Sequence, residues 1–221
     1  MKLLQTFLTL FAVAAFTISP AGAAELVEGK HFTLLQMQQP TEASGKVEVI
    51  EFFSYSCPHC SDFEPLLHAW VKKQPADVTF KKVPAIFRDN WAPGARIFYT
   101  LEAMDQLDRL HVAVFNAMIK EKVNLNDDKT LFDWVAKQGV DRQKFADIYK
   151  SFSIDGKVRR AIEMTQEYGF GGVPVLIVGG KYMPAPNLGT YGNMLQVVDA
   201  LIVKNRAELK KGAAPQKPGK K

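Results

Sequence analysis

Cys57 and Cys60 are the only cysteines in the chain, and they frame the four residues Cys57-Pro58-His59-Cys60. Three chemistries use cysteines at this spacing. As a structural cross-link the pair would do little, because the entropic gain from a disulfide grows with the loop it closes. As half of a zinc site it would need two further ligands. No other cysteine exists, and His31, His68 and His111 have no paired spacing. The third chemistry, reversible dithiol–disulfide exchange, needs nothing more than the two sulfurs, so no metal and no cofactor is expected.

In that chemistry the thiolate is the nucleophile, and its surroundings set how readily it forms. A strand-to-helix junction would put the sulfur of Cys57 at a helix N-terminus, where unpaired N–H groups and the helix dipole favour negative charge. His59 adds a donor or a positive charge beside the same sulfur. Cys60 falls one turn into the helix, on its apolar face. Cys57 is therefore expected to meet the partner thiol and Cys60 to close or resolve the disulfide. A stabilised thiolate favours the reduced pair and makes the disulfide an oxidant.

The flanking pattern supplies that junction. Val47–Ser54 is rich in β-branched and aromatic residues and reads as a strand buried on both faces. Cys60, Phe63, Leu67 and Trp70 then recur at helical spacing. Pro58 suits a first helical turn, and Pro65 is expected to kink the helix. Glu51 interrupts the apolar strand: it either faces solvent or lies buried below the dithiol, where it would carry a raised pKa and shuttle the Cys60 proton. Lys81 and Lys82, in a second strand at Val78–Val83, are its candidate partners.

Residues Pro93 to Tyr168 are helical in pattern throughout, as four or five short helices. The last three are expected at Thr130–Gln138, Arg142–Phe152 and Gly156–Tyr168, with turns at Gly139 and Ser153. Strand character returns at Val173–Val178, followed by a Gly179-Gly180 hairpin, Lys181–Met183 and a final helix at Asn193–Leu209. Pro174, at the start of this strand, implies an edge, a strand start or a cis bond. With a short edge strand at Lys30–Leu35, the order predicts an α/β fold, a mixed sheet with a helical block inserted between its halves.

The chain has 221 residues, 47% apolar and 23% charged, which excludes a collagen, a long coiled coil or a wholly disordered chain. Its net charge of +5 is concentrated at one end. Residues 204–221 hold seven basic side chains against one acid, and the body is nearly neutral. Nucleic acid is therefore not an expected partner. Residues 1–23 read as a secretory signal, with Lys2, an apolar run to Ile18, and Ala21-Gly22-Ala23 as the cleavage pattern. An exported chain works in an oxidising compartment.

Glu51 to Cys60, read as Glu-Phe-Phe-Ser-Tyr-Ser-Cys-Pro-His-Cys, together with Gly171-Gly172-Val173-Pro174, resembles the DsbA family of periplasmic thiol:disulfide oxidoreductases within the thioredoxin superfamily. The resemblance implies a thioredoxin-like domain at residues 24–90 and 169–209, an inserted helical domain at 91–168 and a disordered basic tail at 210–221. It implies a nucleophilic Cys57, a resolving Cys60, thiolate tuning by Pro58 and His59, a buried acid at Glu51 and a cis-proline segment at Val173-Pro174 facing the disulfide and lining a substrate groove. It further implies a periplasmic monomer that passes its disulfide to unfolded exported proteins with free thiols, and a DsbB-type membrane partner that reoxidises it. The basic tail departs from the family pattern.

Overall fold

The computed structural model describes residues 26–42 and 45–212. The expected signal peptide, and the tail beyond residue 212, lie outside the described residues. The elements follow the expected order. Strand β1 (Phe32–Leu34) and β2 (Val47–Phe53) precede helix α1 (Pro58–Val71) and β3 (Val78–Pro84). Five helices come next: α2 (Ala92–Ala103), α3 (Leu107–Phe115), α4 (Asp128–Lys137), α5 (Arg142–Tyr149) and α6 (Phe152–Tyr168). Strands β4 (Val175–Val178) and β5 (Tyr182–Pro184) and helix α7 (Tyr191–Gly212) close the chain.

The sheet order is β1-β5-β4-β2-β3, with β2 and β3 parallel and the other pairs antiparallel. β2 lies between β3 and β4, and every one of its residues is buried, including Glu48 and Glu51. On one face Val47 and Val49 pack with Phe63 and Leu67 of α1 and Val198 and Leu201 of α7. A second core cluster starts at Ile50, Phe52 and Phe53 and continues without a break into the inserted helices, through Ile97, Leu101, Val114, Leu131 and Phe145. The helical block is an insertion in chain order, but it shares its core with the sheet.

Local chemistry fixes several boundaries differently from the sequence pattern. The break expected at Ser153 lies earlier, because the Ser151 hydroxyl caps α6 by accepting from the Ile154 N–H. Phe152 thus opens α6 instead of ending α5. Asp127 and Asp141 cap α4 and α5 in the same way. α1 continues through Pro65, although that residue cannot donate to the Ser61 carbonyl. α7 runs three residues past its expected end at Leu209, with Lys210 and Lys211 in its last turn, where positive charge suits the helix dipole. The β4–β5 hairpin requires its glycines: Gly179 and Gly180 have φ of 59° and 61°, and a Cβ on either would collide with Asn205 or the Gln39 carbonyl.

Candidate active site

β2 ends at Phe53, and Ser54-Tyr55-Ser56 turns the chain into α1. The Cys57 N–H donates to the Ser54 carbonyl at 3.0 Å. Cys57 is the N-cap residue of α1, with extended backbone, and Pro58 is the first helical residue. Proline fits there because that N–H has no partner within the helix. The Cys57 sulfur is half-buried, Pro58 and His59 are exposed, and Cys60 is fully buried. The two cysteines are chemically identical but differ in access.

They differ as sharply in acidity. The Cys57 thiol is lowered to about 6. The largest cause is the hydrogen bond from the Cys60 thiol, which outweighs the opposing effect of partial burial; the backbone N–H groups of Cys60 and His59 follow, and the charge of His59 comes last. His59 therefore contributes less than its position in the motif suggests. The Cys60 thiol is pushed far up by burial, by its hydrogen bond to Cys57 and by the charge of Glu51. A thiolate titration of the reduced protein, followed by ultraviolet absorbance, is expected to show a midpoint near 6 against about 8.5 for a free cysteine. His59→Leu is expected to raise that midpoint by less than about one pH unit, a shift that a free-cysteine midpoint in the variant would contradict.

Opposite the dithiol, the Val173-Pro174 peptide bond is cis. The Cys57 S–H donates to the Val173 carbonyl at 3.4 Å, so the segment lies against the sulfur. Both residues are half-buried and precede β4 instead of starting it.

Behind the dithiol the parallel register pairs Glu51 with Lys82. Lys82 Nζ donates to Glu51 Oε2 and to Glu64 Oε2, each at 2.6 Å. Lys81, one residue away and on the other face, instead meets Glu42 and Glu48 at 3.2 and 3.3 Å. Burial raises the Glu51 carboxyl to about 6 despite the lysine. Burial also opposes ionisation of Glu64, but His111 and Lys82 outweigh it and hold that carboxyl below the usual range. The solvent-facing alternative for Glu51 is excluded, since the residue is 1% exposed.

Three residues of this region have no role that the sequence pattern assigns. Glu64 stands four residues after Cys60 on the same helical stripe. His111 falls in the stripe of Leu107, Leu110 and Val114, and its Nδ1 lies 2.7 Å from the Tyr55 hydroxyl. Tyr191, at the start of α7, donates from its hydroxyl to the His59 carbonyl at 3.0 Å and packs its ring at a tilt against Phe63. No short-range pattern links Tyr191 to a motif 132 positions earlier.

Residues 48–196 match the family model of the DSBA-like thioredoxin domain. The thiol:disulfide interchange protein DsbA of Burkholderia cepacia is 42% identical over 206 residues, covering 91% of this chain and 95% of that protein. The protein of the same name from Pseudomonas aeruginosa is 38% identical, covering 91% of this chain and 96% of its own. Among solved structures, Pseudomonas aeruginosa DsbA superposes with a TM-score of 0.79 at 39% identity, over 82% of this chain and 95% of that one. Reduced DsbA1 from Neisseria meningitidis gives 0.77 at 31% identity, over 87% and 100%. A cysteine pair at the N-terminus of α1, a five-stranded mixed sheet and relatives spanning nearly the whole chain agree, and the chain belongs to the DSBA-like thioredoxin family of thiol:disulfide oxidoreductases.

Proposed function

We propose that the chain works as a disulfide donor, with Cys57 as the reacting sulfur and Cys60 as the resolving one. The observation that carries this reading is the asymmetry between them: a half-exposed thiol lowered to about 6 at a helix N-cap, beside a buried thiol held protonated. A client thiolate attacks the Cys57 sulfur of the oxidised pair. The Cys57–Cys60 bond breaks, and Cys60 leaves with the electron pair and takes a proton from Glu51. The client's second thiolate then attacks its own sulfur in the mixed disulfide. Cys57 leaves as a thiolate, which is favourable because a low-pKa thiol is a good leaving group. Two electrons pass from client to protein, carried by the sulfurs alone, and no cofactor is required.

Val173 and Pro174 line the face the client approaches, and an extended client segment can pair with the backbone there. Pro58 and His59 fix the helix start and tune the thiolate. Clients are unfolded exported proteins with free thiols, the compartment is the periplasm, the working form is a monomer, and a quinone-linked membrane protein of the DsbB type restores the disulfide. Consistent with this, no helix among the described residues is long and apolar enough to cross a membrane. The experiment is to mix the oxidised protein with a reduced, unfolded client and count free thiols. Stoichiometric loss of client thiols, with an equilibrium against glutathione that favours the reduced protein, is the expected result. An equilibrium favouring the oxidised protein would make it a reductase.

Stability gives a second check. The thiol of Cys57 is lowered on folding, so it stabilises the reduced protein fully above the unfolded value, about 8.5, and that contribution is lost as pH falls through about 6. The reduced form is expected to unfold at higher denaturant than the oxidised form at pH 7.5, and the gap to close by pH 5. An oxidised form more stable at both pH values would contradict the thiolate argument.

A further inference from the structure

A histidine of the inserted block completes the charged cluster behind the dithiol. His111, on α3, is 6% exposed. The rings of Phe53, Phe98 and Phe115 surround its imidazole, with centroids 5.1, 5.9 and 5.2 Å away. Nδ1 lies 2.7 Å from the Tyr55 hydroxyl, the only hydrogen-bond partner of that phenol among the described residues. Among the described residues Nε2 has no partner at ideal hydrogen-bond geometry, and it stands 3.4 Å from Glu64 Oε2, the oxygen that Lys82 also contacts.

These contacts fix the proton arrangement. Because Nε2 faces the Glu64 carboxylate, which can only accept, the neutral imidazole carries its hydrogen on Nε2 and accepts from the Tyr55 hydroxyl at Nδ1. Burial holds His111 below its ordinary range, so the ring is neutral at neutral pH. A buried N–H without an acceptor is destabilising, and the acceptor within reach is the Glu64 carboxylate. Glu64 and Glu51 share one ammonium group. Each increment of donation that His111 gives to Glu64 frees Lys82 to hold Glu51. The other titratable or charged groups around the ring are His68 and Glu64 from α1 and Lys82 from β3, with Glu102 of α2 and Asp108 of α3 lining the adjoining groove.

We propose that His111 is a positioning residue for the redox reaction: as a neutral donor to Glu64 it determines how firmly Lys82 is held to Glu51, and so how readily Glu51 exchanges the Cys60 proton. This rests on the role given to Glu51 above. It makes the insertion, through α3, part of the proton chemistry of a dithiol carried on a different element.

The test follows one proton-dependent step. Purified protein, reduced and then loaded at Cys57 as the mixed disulfide with 5-thio-2-nitrobenzoate, releases the coloured thiol when Cys60 attacks. The release rate against pH is expected to show an inflection near 6 in the natural protein, the value of the Glu51 carboxyl. His111→Leu withdraws the donor, Glu64 draws more on Lys82, and the inflection is expected to move up by about one unit, a tenfold slower release below it. His111→Gln sets an amide N–H where Nε2 stands and is expected to restore the natural profile, although glutamine cannot titrate. Tyr55→Phe keeps the ring packing, removes the hydroxyl that orients the imidazole, and is expected to shift the inflection in the same direction by less. The Cys57 thiolate midpoint, read separately, is expected to stay put in all three. Unshifted profiles in both His111→Leu and Tyr55→Phe would overturn the proposal and leave His111 a packing residue. A shifted profile that glutamine fails to restore would also overturn it, since the effect would then come from titration of the ring. A natural protein with no inflection would remove the role of Glu51 itself.

Discussion

Cys60→Ser turns the protein into a covalent trap. The remaining Cys57 sulfur is half-exposed and ionises readily, so it still forms mixed disulfides with client thiols. Internal resolution by the neighbouring sulfur is gone, and release depends on a second client thiol that many clients have already used. Non-reducing gels of extracts are expected to show a ladder of adducts that collapses on reduction. Cys57→Ser is expected to show none, because the sulfur of Cys60 is fully buried and its thiol is held protonated. The contrast comes from placement alone. Equal trapping by the two variants would mean that Cys60 reaches clients as easily as Cys57, and the division of labour between the sulfurs would be lost.

Lys82→Met is expected to cause the largest loss of stability among single changes near the site. It leaves Glu51 and Glu64 buried without the cation that both contact at 2.6 Å. Breaking a buried ion pair from one side costs about 3–5 kcal/mol, because the remaining charge is stranded. The pH dependence separates charge from packing. Without Lys82 both carboxyls are raised in the folded protein, and an acid whose folded pKa is raised costs stability above that pKa and returns it as pH falls. The deficit in urea unfolding is therefore expected to be largest at pH 7.5 and to shrink towards pH 5. Adding Glu51→Gln to Lys82→Met is expected to recover much of it, since one stranded carboxylate is removed. A deficit of equal size at both pH values would assign the loss to altered packing of the substituted side chain and not to charge.

The parts of this architecture visible in the sequence are those with a local signature. β2 could be read because it is apolar along its whole length, and α1 because its apolar stripe begins beside Pro58. Glu51 stood out as an acid inside that strand. The choice between Lys81 and Lys82 was not readable, since adjacent strand residues face opposite ways and the register of β3 against β2 decides it. Glu64 and His111 do lie on apolar helical stripes, but a polar residue there often marks only the edge of a stripe. Their significance depends on α1, β3 and α3 converging, which no short window contains. Tyr191 reaches the His59 carbonyl only because α7 folds back across the end of α1. The α5–α6 boundary lies two residues before the turn expected at Ser153, because the hydroxyl of Ser151 caps α6.

The position of β2 has a consequence for the timing of folding. Its neighbour on one side, β3, follows within 31 residues at the Glu51–Lys82 pairing, whereas its neighbour on the other side, β4, is made only after helices α1 to α6. A ribosome delivers Cys57 and Cys60 long before Val173, Leu176 or Tyr191 exist. Until then half of the central strand's hydrogen bonds are open, the sulfur of Cys57 lacks the backbone opposite it, and the carbonyl of His59 lacks its donor. Pairings of such long sequence separation form late and slowly. The nascent chain therefore carries two ordinary thiols, and the reactive one acquires its character only when the last quarter of the polypeptide has docked.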